Sequence, residues 1–322
     1  MKNNIFQKAR IKLTLYYIAI MAVILSLFSS VLIFTIESKI RQGFRDRIVI
    51  TEAEGDPVQN TSNDIEMLIY VVDGFLLLII GFSSYFLAGK TLKPIKEALD
   101  SQKKFSADAS HDLRTPIAII MTESEVALKN GKNSEKELTT VIQSNLEEAK
   151  KMSRLVNDLL LISRGENQAM RYSFIEIDSH NFIEKLVNKV KPQAESKGLK
   201  IKLSEYKKIL IRVDTDNFER AISNVLQNAI NYTKVGVVTV DIKELDQKVL
   251  ITISDTGVGI DKKDLPFVFD RFYKASHSRN DKSGSGLGLP ISKLIIEGHK
   301  GSIRINSEVN RGTIVTVTLP RV

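Results

Sequence analysis

Four stretches of this sequence carry residue types that could do chemistry together. In Ser110-His111-Asp112-Leu113-Arg114-Thr115-Pro116 an imidazole stands beside a carboxylate. A carboxylate that holds one ring nitrogen as N–H leaves the other as a nucleophile. Thr115 follows Asp112 by one helical turn, and Pro116 removes a helix hydrogen bond and favours a bend beside the histidine. The second stretch places Asn224 and Asn228 four residues apart, on one face of a helix that ends in Asn231-Tyr232. Amide oxygens suit a hard cation such as Mg²⁺, which keeps few protein ligands and takes the rest from phosphates and water. The third, Asp255-Thr256-Gly257-Val258-Gly259, sets a carboxylate at a strand end, where it can accept a hydrogen from an exocyclic amine. The fourth, Gly284-Ser285-Gly286-Leu287-Gly288, leads into a helix, where free N–H groups and the helix dipole favour an anion.

Each stretch has a plainer reading when taken alone. A lone helical histidine is usually solvated or structural, a pair of asparagines is usually a polar helix face, and many turns read Asp-x-Gly-x-Gly. The glycine run is not a Walker loop, since no Gly-Lys-Ser/Thr follows, nor a dinucleotide fingerprint, since no strand precedes it. Between the third and fourth stretches lie Phe269, Arg271, Phe272, Tyr273, Lys274 and Arg279, the composition of a lid that carries positive charge toward phosphates.

The elements that must position these residues follow from periodicity. From Thr91 to about Gly165 the pattern is helical. Leu138, Ile142, Asn145, Ala149, Met152, Val156 and Leu159 alternate spacings of four and three, as in a coiled-coil seam. Leu92, Ile95, Leu99, Leu113, Ile117 and Ile120 form a looser stripe on the helix before it, and Asn130-Gly131-Lys132-Asn133 reads as the turn between them. Two amphipathic helices leave apolar faces uncovered, so a four-helix bundle made by two chains is expected. After Ser173, strands expected at Ile201–Leu203, Ile209–Val213, Val237–Ile242, Val249–Ser254, Ser302–Asn306 and Thr313–Leu319 alternate with helices near His180–Ser196, Thr215–Asn231 and Leu289–Gly298. Helices on one face of a mixed sheet, an α/β sandwich, are the expected architecture.

The 322 residues suffice for about two ordinary domains, and they contain no cysteine, which excludes disulfides, thiolate metal sites and a cysteine nucleophile. Two apolar runs in the first third, Leu13 to Ile36 and Met67 to Ala88, are each long enough to cross a bilayer. The Lys-rich flank after Ala88 is expected to place both termini in the cytoplasm, with the 37–66 loop outside. The net charge of +8 is partly such flanking, and no basic helix with interleaved aromatics appears, so no direct nucleic-acid partner is expected. Asp73 inside the second run is a functional candidate by default, although it lies close enough to one end to reach water.

In this order, histidine stretch, paired asparagines, Asp-x-Gly-x-Gly, aromatic lid, Gly-x-Gly-x-Gly and a final Gly312-Thr313, the chain resembles the sensor histidine kinases of two-component systems over about residues 91 to 322. Its later part is also similar to the wider ATPase group of gyrase, a heat-shock chaperone family and the mismatch-repair ATPases, which lack the Ser-His-Asp-Leu-Arg-Thr-Pro segment. The resemblance implies two transmembrane helices, a helical hairpin forming a dimeric four-helix bundle, and an α/β sandwich ATP-binding domain of the histidine kinase/gyrase type. The expected division is 1–12 cytoplasmic N-terminus, 13–36 transmembrane helix, 37–66 extracytoplasmic loop, 67–88 transmembrane helix, 89–168 linker and histidine phosphoacceptor domain, and 169–322 catalytic ATP-binding domain.

Carried over residue by residue, the resemblance implies His111 as phosphoacceptor, Asp112 as its acid/base partner and Thr115 as the residue that orients water when the partner is dephosphorylated. Asn228 would hold Mg²⁺ with Asn224 nearby, Asp255 would read adenine, and Gly257 and Gly259 would shape its pocket. Tyr232 would pack near base or ribose, Gly284, Gly286 and Gly288 would line the phosphates, and Thr313 would complete the site. The family often has Lys or Arg where this chain has Asn231, so Lys274 or Arg279 is expected to supply that charge. Only about 22 residues separate Ala88 from His111, too few for a HAMP relay. The second span is therefore expected to run directly into the bundle, so that each inserted residue turns the helix by about 100°. The implied activity is ATP- and Mg²⁺-dependent autophosphorylation of His111 and transfer to an Asp of a response regulator, by a homodimer in the plasma membrane in contact with lipid, with a further membrane protein as a candidate sensory partner. Alternatives are a protein that acts chiefly as a phosphatase of that regulator and a catalytically silent membrane receptor.

Overall fold

The computed structural model describes residues 2–45, 57–129, 134–166, 170–205, 207–275 and 284–321. It divides into two compact units, Met1–Lys104 and Phe105–Val322. The first holds α1 (Lys2–Arg45) and the start of α2 (Pro57–Lys129). Both helices contain stretches long and apolar enough to cross a membrane, and most of their Leu, Ile and Phe side chains face outward, as expected where lipid is the solvent. Polar atoms inside this pair are matched to one another. Ser29 Oγ donates to Asp73 Oδ2 at 2.6 Å, and Arg10 Nε donates to the Tyr85 carbonyl at 2.9 Å, with its guanidinium 3.6 Å from the Tyr85 ring centroid. Asp73 thus has a partner on the other helix, as a carboxylate in an apolar setting requires.

In the second unit the remainder of α2 pairs with α3 (Glu135–Glu166). Ser134 caps α3 by a reciprocal box, with Glu137 N donating to Ser134 Oγ and Ser134 N to Glu137 Oε2. The expected turn at 130–133 lies outside the described residues. The seam on α3 differs from the periodicity reading. Val141, Asn145, Glu148, Met152, Leu155, Leu159 and Ile162 are the covered positions, whereas Leu138, Ile142, Ala149 and Val156 are exposed. On α2, Leu113 and Ile120 are covered, but Ile117 is exposed. One helix in a bundle carries two apolar stripes offset by a residue, and a single heptad count merges them. Helix α2 continues unbroken through Pro116, which is buried.

The rest is the expected sandwich. A short antiparallel pair, β1 (Ile175–Asp178) and β3 (Leu210–Val213), flanks a five-stranded mixed sheet. That sheet runs β2 (Lys200–Leu203), β4 (Val237–Leu245), β5 (Lys248–Asp255), β7 (Gly312–Pro320) and β6 (Ser302–Glu308), with only β2–β4 parallel. Strand β1, four residues long, is too short to show a period and is absent from the sequence reading. Helices α4 (Ser179–Ser196), α5 (Thr215–Tyr232) and α6 (Gly288–Gly298) cover the sheet. Helix α5 buries Phe218, Ala221, Ile222, Val225, Leu226, Ala229 and Ile230, the 3-4-3-4 stripe of an amphipathic helix. Its cap, Asp214, is held in place. Its side chain accepts from Ser173 N, Asn217 N and Asn217 Nδ2, and its own N–H donates to His299 Nε2 at 2.9 Å. Buried His299 donates from Nδ1 to the Ile295 carbonyl, which fixes a neutral ring.

Candidate functional site

His111 projects from α2 with its side chain 77% exposed and Nδ1 3.4 Å from Asp112 Oδ1. That sets the carboxylate beside one ring nitrogen, which favours the Nδ1–H tautomer and leaves Nε2 as the acceptor nitrogen. Because Pro116 has no N–H, the Asp112 carbonyl four residues earlier has no helix donor from it. His111, Arg114, Thr115, Ala118, Ile119, Thr122 and Glu123, one face of α2, line an open groove of about 590 Å³. Thr115 therefore shares a groove with His111, whereas Asp112, whose face its spacing predicts it to share, does not line that groove.

The second cluster is assembled from distant segments. Asp255 ends β5, and burial pushes its carboxyl above the ordinary carboxylate value, while hydrogen bonds from Gly257 N and Thr313 N work the other way. Both donate to the same oxygen, Oδ1, at 2.9 and 3.2 Å, which orients Oδ2 as the oxygen left for a ligand donor. The Asp-x-Gly-x-Gly turn is tied on both sides, with Val258 N donating to the Tyr232 carbonyl at the end of α5 and Asn310 N donating to the Val258 carbonyl. Gly259 lies against the β6–β7 hairpin at Glu308. Gly312, at φ 101°, opens β7 where a Cβ would strike the Asp255 carbonyl; only glycine fits there.

Ser307, which sequence reasoning missed, knits this corner together. Its hydroxyl accepts from Ile260 N, donates to the Gly312 carbonyl and lies 2.9 Å from Thr313 Oγ1. Only the register Ser307↔Thr313 gives that serine its place, and no local signal in the sequence marks it.

On α5, Asn228 is half-buried and its amide makes no hydrogen bond to another described residue. A neutral amide oxygen is a donor type that fits Mg²⁺. Asn224 has another task, since its Nδ2 donates to the Gly288 carbonyl at 3.1 Å and ties α5 to the first residue of α6. Asn231 Oδ1 accepts from Gln227 Nε2 and from Lys197 Nζ, which comes from the end of α4. Gly286, at φ 71°, accepts at its carbonyl from Phe272 N, and a Cβ there would strike the Phe272 backbone. Gly284 also has positive φ, and Pro290 falls in the first turn of α6, where it costs no hydrogen bond. Tyr273 donates from its hydroxyl to buried Asp264 at 2.8 Å, and Lys274 is half-buried. Arg279 lies outside the described residues.

Comparison with known proteins agrees with this geometry. Residues 213–322 match the family described as histidine kinase-, DNA gyrase B-, and HSP90-like ATPase, and residues 101–168 match the His Kinase A (phospho-acceptor) domain. Over 231 residues the chain is 34% identical to the sensor histidine kinase CusS of Escherichia coli, covering 71% of this chain and 48% of CusS. It is 35% identical over 226 residues to the sensor protein SrrB of Staphylococcus aureus, covering 69% of this chain and 39% of SrrB. The chain thus spans about half the length, or less, of these curated relatives. Among solved structures, the histidine kinase AdeS of Acinetobacter baumannii has a TM-score of 0.56 at 24% identity, covering 66% of this chain and 98% of that one. The histidine kinase ThkA, solved in complex with the response regulator protein TrrA, has a TM-score of 0.54 at 18% identity, covering 72% of this chain and 66% of that one; both likenesses concern the fold. A histidine-bearing helical hairpin followed by an ATPase sandwich, matched by two family models and by curated kinases, places this chain in the family of sensor histidine kinases.

Proposed function

We propose that the chain is a plasma-membrane sensor kinase that uses Mg²⁺-ATP to phosphorylate His111 and passes the phosphoryl group to an Asp of a response regulator. The observation that carries this is the pairing, in one chain, of an exposed His111 imidazole backed by Asp112 with a braced Asp255 carboxylate and an asparagine-tied glycine loop that fit a nucleotide. Asp255 Oδ2 accepts from the adenine amine, and Gly284, Gly286 and Gly288 let backbone approach the phosphates. Asn228 would hold the magnesium ion, which when bound neutralises phosphate charge. His111 Nε2 then attacks the γ-phosphorus in line, so that an N–P bond forms as the bond to the β,γ-bridging oxygen breaks and ADP leaves. Asp112 retains the proton on Nδ1 and stabilises the cationic ring as it forms. The protein's contribution is positioning and electrostatics.

In this reading 13–36 and 67–88 span the membrane, both termini are cytoplasmic, 89–168 carries His111 and 169–322 binds ATP. A second copy of the chain completes the bundle. Exposed Ile142, Ala149 and Val156 recur every seven residues, as expected of a seam that packs against a second chain. Thr115 in the His111 groove favours a second activity, hydrolysis of the regulator's phosphoaspartate.

Incubation of the full-length chain in lipid nanodiscs with γ-labelled ATP tests the first reading. Acid-labile label on the wild type and none on His111→Gln is the expected result. Wild-type chain that binds nucleotide yet takes up no label would overturn it in favour of a silent receptor. Regulator phosphate that persists with Thr115→Ala but decays with wild type separates out the phosphatase activity.

A further inference from the structure

The two helices of the first unit are pinned to each other by polar groups at two depths. Near Ala88, Arg10 of α1 donates from Nε to the Tyr85 carbonyl and lies over the Tyr85 ring. A Cβ at Gly89 would strike its guanidinium, so the arginine is seated against bare backbone of α2. Toward the other end, Ser29 Oγ donates to Asp73 Oδ2 at 2.6 Å, and Ser29 is 4% exposed. Between the pins the helices meet through apolar and small residues, as where Ile18 lies beside Gly81. The pins differ in kind. A guanidinium stays charged at any physiological pH, whereas a carboxyl group can gain and lose a proton.

The surroundings of Asp73 decide what it can bind. Among the described residues its one hydrogen-bond partner is Ser29, and it has no ion pair. One turn to either side the covered positions are Leu25 and Ile33 on α1 and Ile69 and Leu77 on α2. The nearest charged positions of the seam are Glu37 and Glu66, about two turns farther out, with exposed Lys39 and Asp64 beside them. No other charged residue lies between Lys12 and Glu37 on α1 or between Glu66 and Lys90 on α2. A hard cation takes about six or more oxygen ligands, which one carboxylate and one hydroxyl do not supply, and no metal-binding cluster occurs among the described residues. A proton needs one oxygen, and Oδ1 is available for it. The Ser29 hydroxyl serves both states, since it can donate to a carboxylate and accept from the protonated acid. What differs is the charge, which is costly among apolar side chains unless water reaches it. At about 1.5 Å per residue, Asp73 lies about 9 Å from the start of its apolar run at Met67 and about 22 Å from its end at Ala88. With the 37–66 loop outside, the nearer water is that of the outer face.

We infer that Asp73, with Ser29, is a proton-binding site through which the protein responds to acidity at the outer face of the membrane. The inference rests on the kinase function and orientation proposed above, and it names the stimulus. A proton from water at the outer face binds Asp73 Oδ1 and removes the charge, and the outer ends of the helices then close on their apolar contacts. Loss of the proton restores a charge that draws water into the seam and parts those ends. Arg10 holds the inner ends in both states, so the change is a pivot of α1 against α2 about a fixed pin. Helix α2 runs without a break from Pro57 to Lys129, so Asp73 and His111 belong to one helix.

The test uses the full-length chain in sealed liposomes with γ-labelled ATP in the external buffer, so that only chains whose sandwich faces outward are read. The external buffer is held at about pH 7.5, and the lumen, which then bathes the 37–66 loop, is set at about pH 7.5 or about pH 5. The initial rate of His111 labelling in the wild type is expected to differ about fivefold or more between the two lumens. Asp73→Asn, which keeps the shape and takes no proton, is expected to show one rate in both, equal to that of the wild type over an acid lumen. Asp73→Glu, which still takes a proton, is expected to keep a response, Ser29→Ala to move its midpoint, and Glu66→Gln to leave it as in the wild type. A wild-type rate indifferent to lumenal pH, or a response that survives Asp73→Asn, overturns the proton site and leaves the kinase standing. A response lost from Asp73→Asn and Asp73→Glu alike assigns Asp73 to helix packing and also overturns it. No label on any chain in either lumen overturns both readings.

Discussion

The His111 site and the Asp255 site are built in opposite ways. The first is one turn of one helix, in which a solvent-facing imidazole is oriented by the next residue along the chain. The second draws on the end of α5, the end of β5, the β6–β7 hairpin and the start of α6, and its carboxylate is half-enclosed and fixed by two backbone donors. A group that must meet two different macromolecular surfaces is left accessible and supported only locally. A group that must recognise one small molecule is preorganised by many distant parts. The cost of disturbing each site should differ accordingly.

The largest separation comes from removing the reactive group of each. His111→Gln is expected to abolish phosphorylation and leave nucleotide affinity unchanged, whereas Asp255→Asn is expected to lower affinity by at least tenfold, since an amide cannot replace a charge-assisted acceptor worth about 1.5–3 kcal/mol. Isothermal titration with a non-hydrolysable ATP analogue reads both; equal affinities for the Asp255 variant and wild type would break the comparison. Next comes Gly312→Ala, which forces a Cβ against the Asp255 carbonyl at positive φ. A cost of about 1–3 kcal/mol in stability, with loss of nucleotide binding, is expected in thermal melts, while the two methyls added in the His111 groove by Ala118→Val should leave binding intact.

Ser307→Ala should have a smaller effect. It removes a hydroxyl that links Ile260, Gly312 and Thr313 and is expected to cost about 1 kcal/mol, read as a modest rise in the Kd for nucleotide without loss of fold. The smallest effect is on pH. Burial holds the His299 imidazole below its ordinary value of 6.5, so the neutral ring is favoured in the folded chain. Its contribution to stability is complete above about 6.5 and is lost as pH falls toward the depressed folded value. Melting temperature is expected to drop as pH falls below about 6.5, and His299→Gln should flatten that drop while leaving the labelling of His111 at pH 7.5 in place.

Much of this was legible in the chain. The amphipathic stripe of α5, the two apolar runs and the glycine run before α6 each repeat a local physical rule within one segment, and local rules survive folding. The histidine stretch was legible for the same reason, because its chemistry lies within five consecutive positions. The α3 seam was only half legible, since two stripes one residue apart overlap in any count of spacings, and burial alone tells which one faces α2.

The sequence by itself determined which residues could take part: His111 with Asp112, Asn228, Asp255 and the glycines. Tertiary structure alone decided that Thr313 and Ser307 meet at Asp255, through the β6–β7 register, and that Asn224 braces Gly288 rather than standing free. It also decided that Lys197 reaches Asn231 from another helix and that the Phe272 ring meets Phe105. The physical reason is separation along the chain. Contacts between residues tens of positions apart depend on strand order and helix packing, which no local spacing encodes.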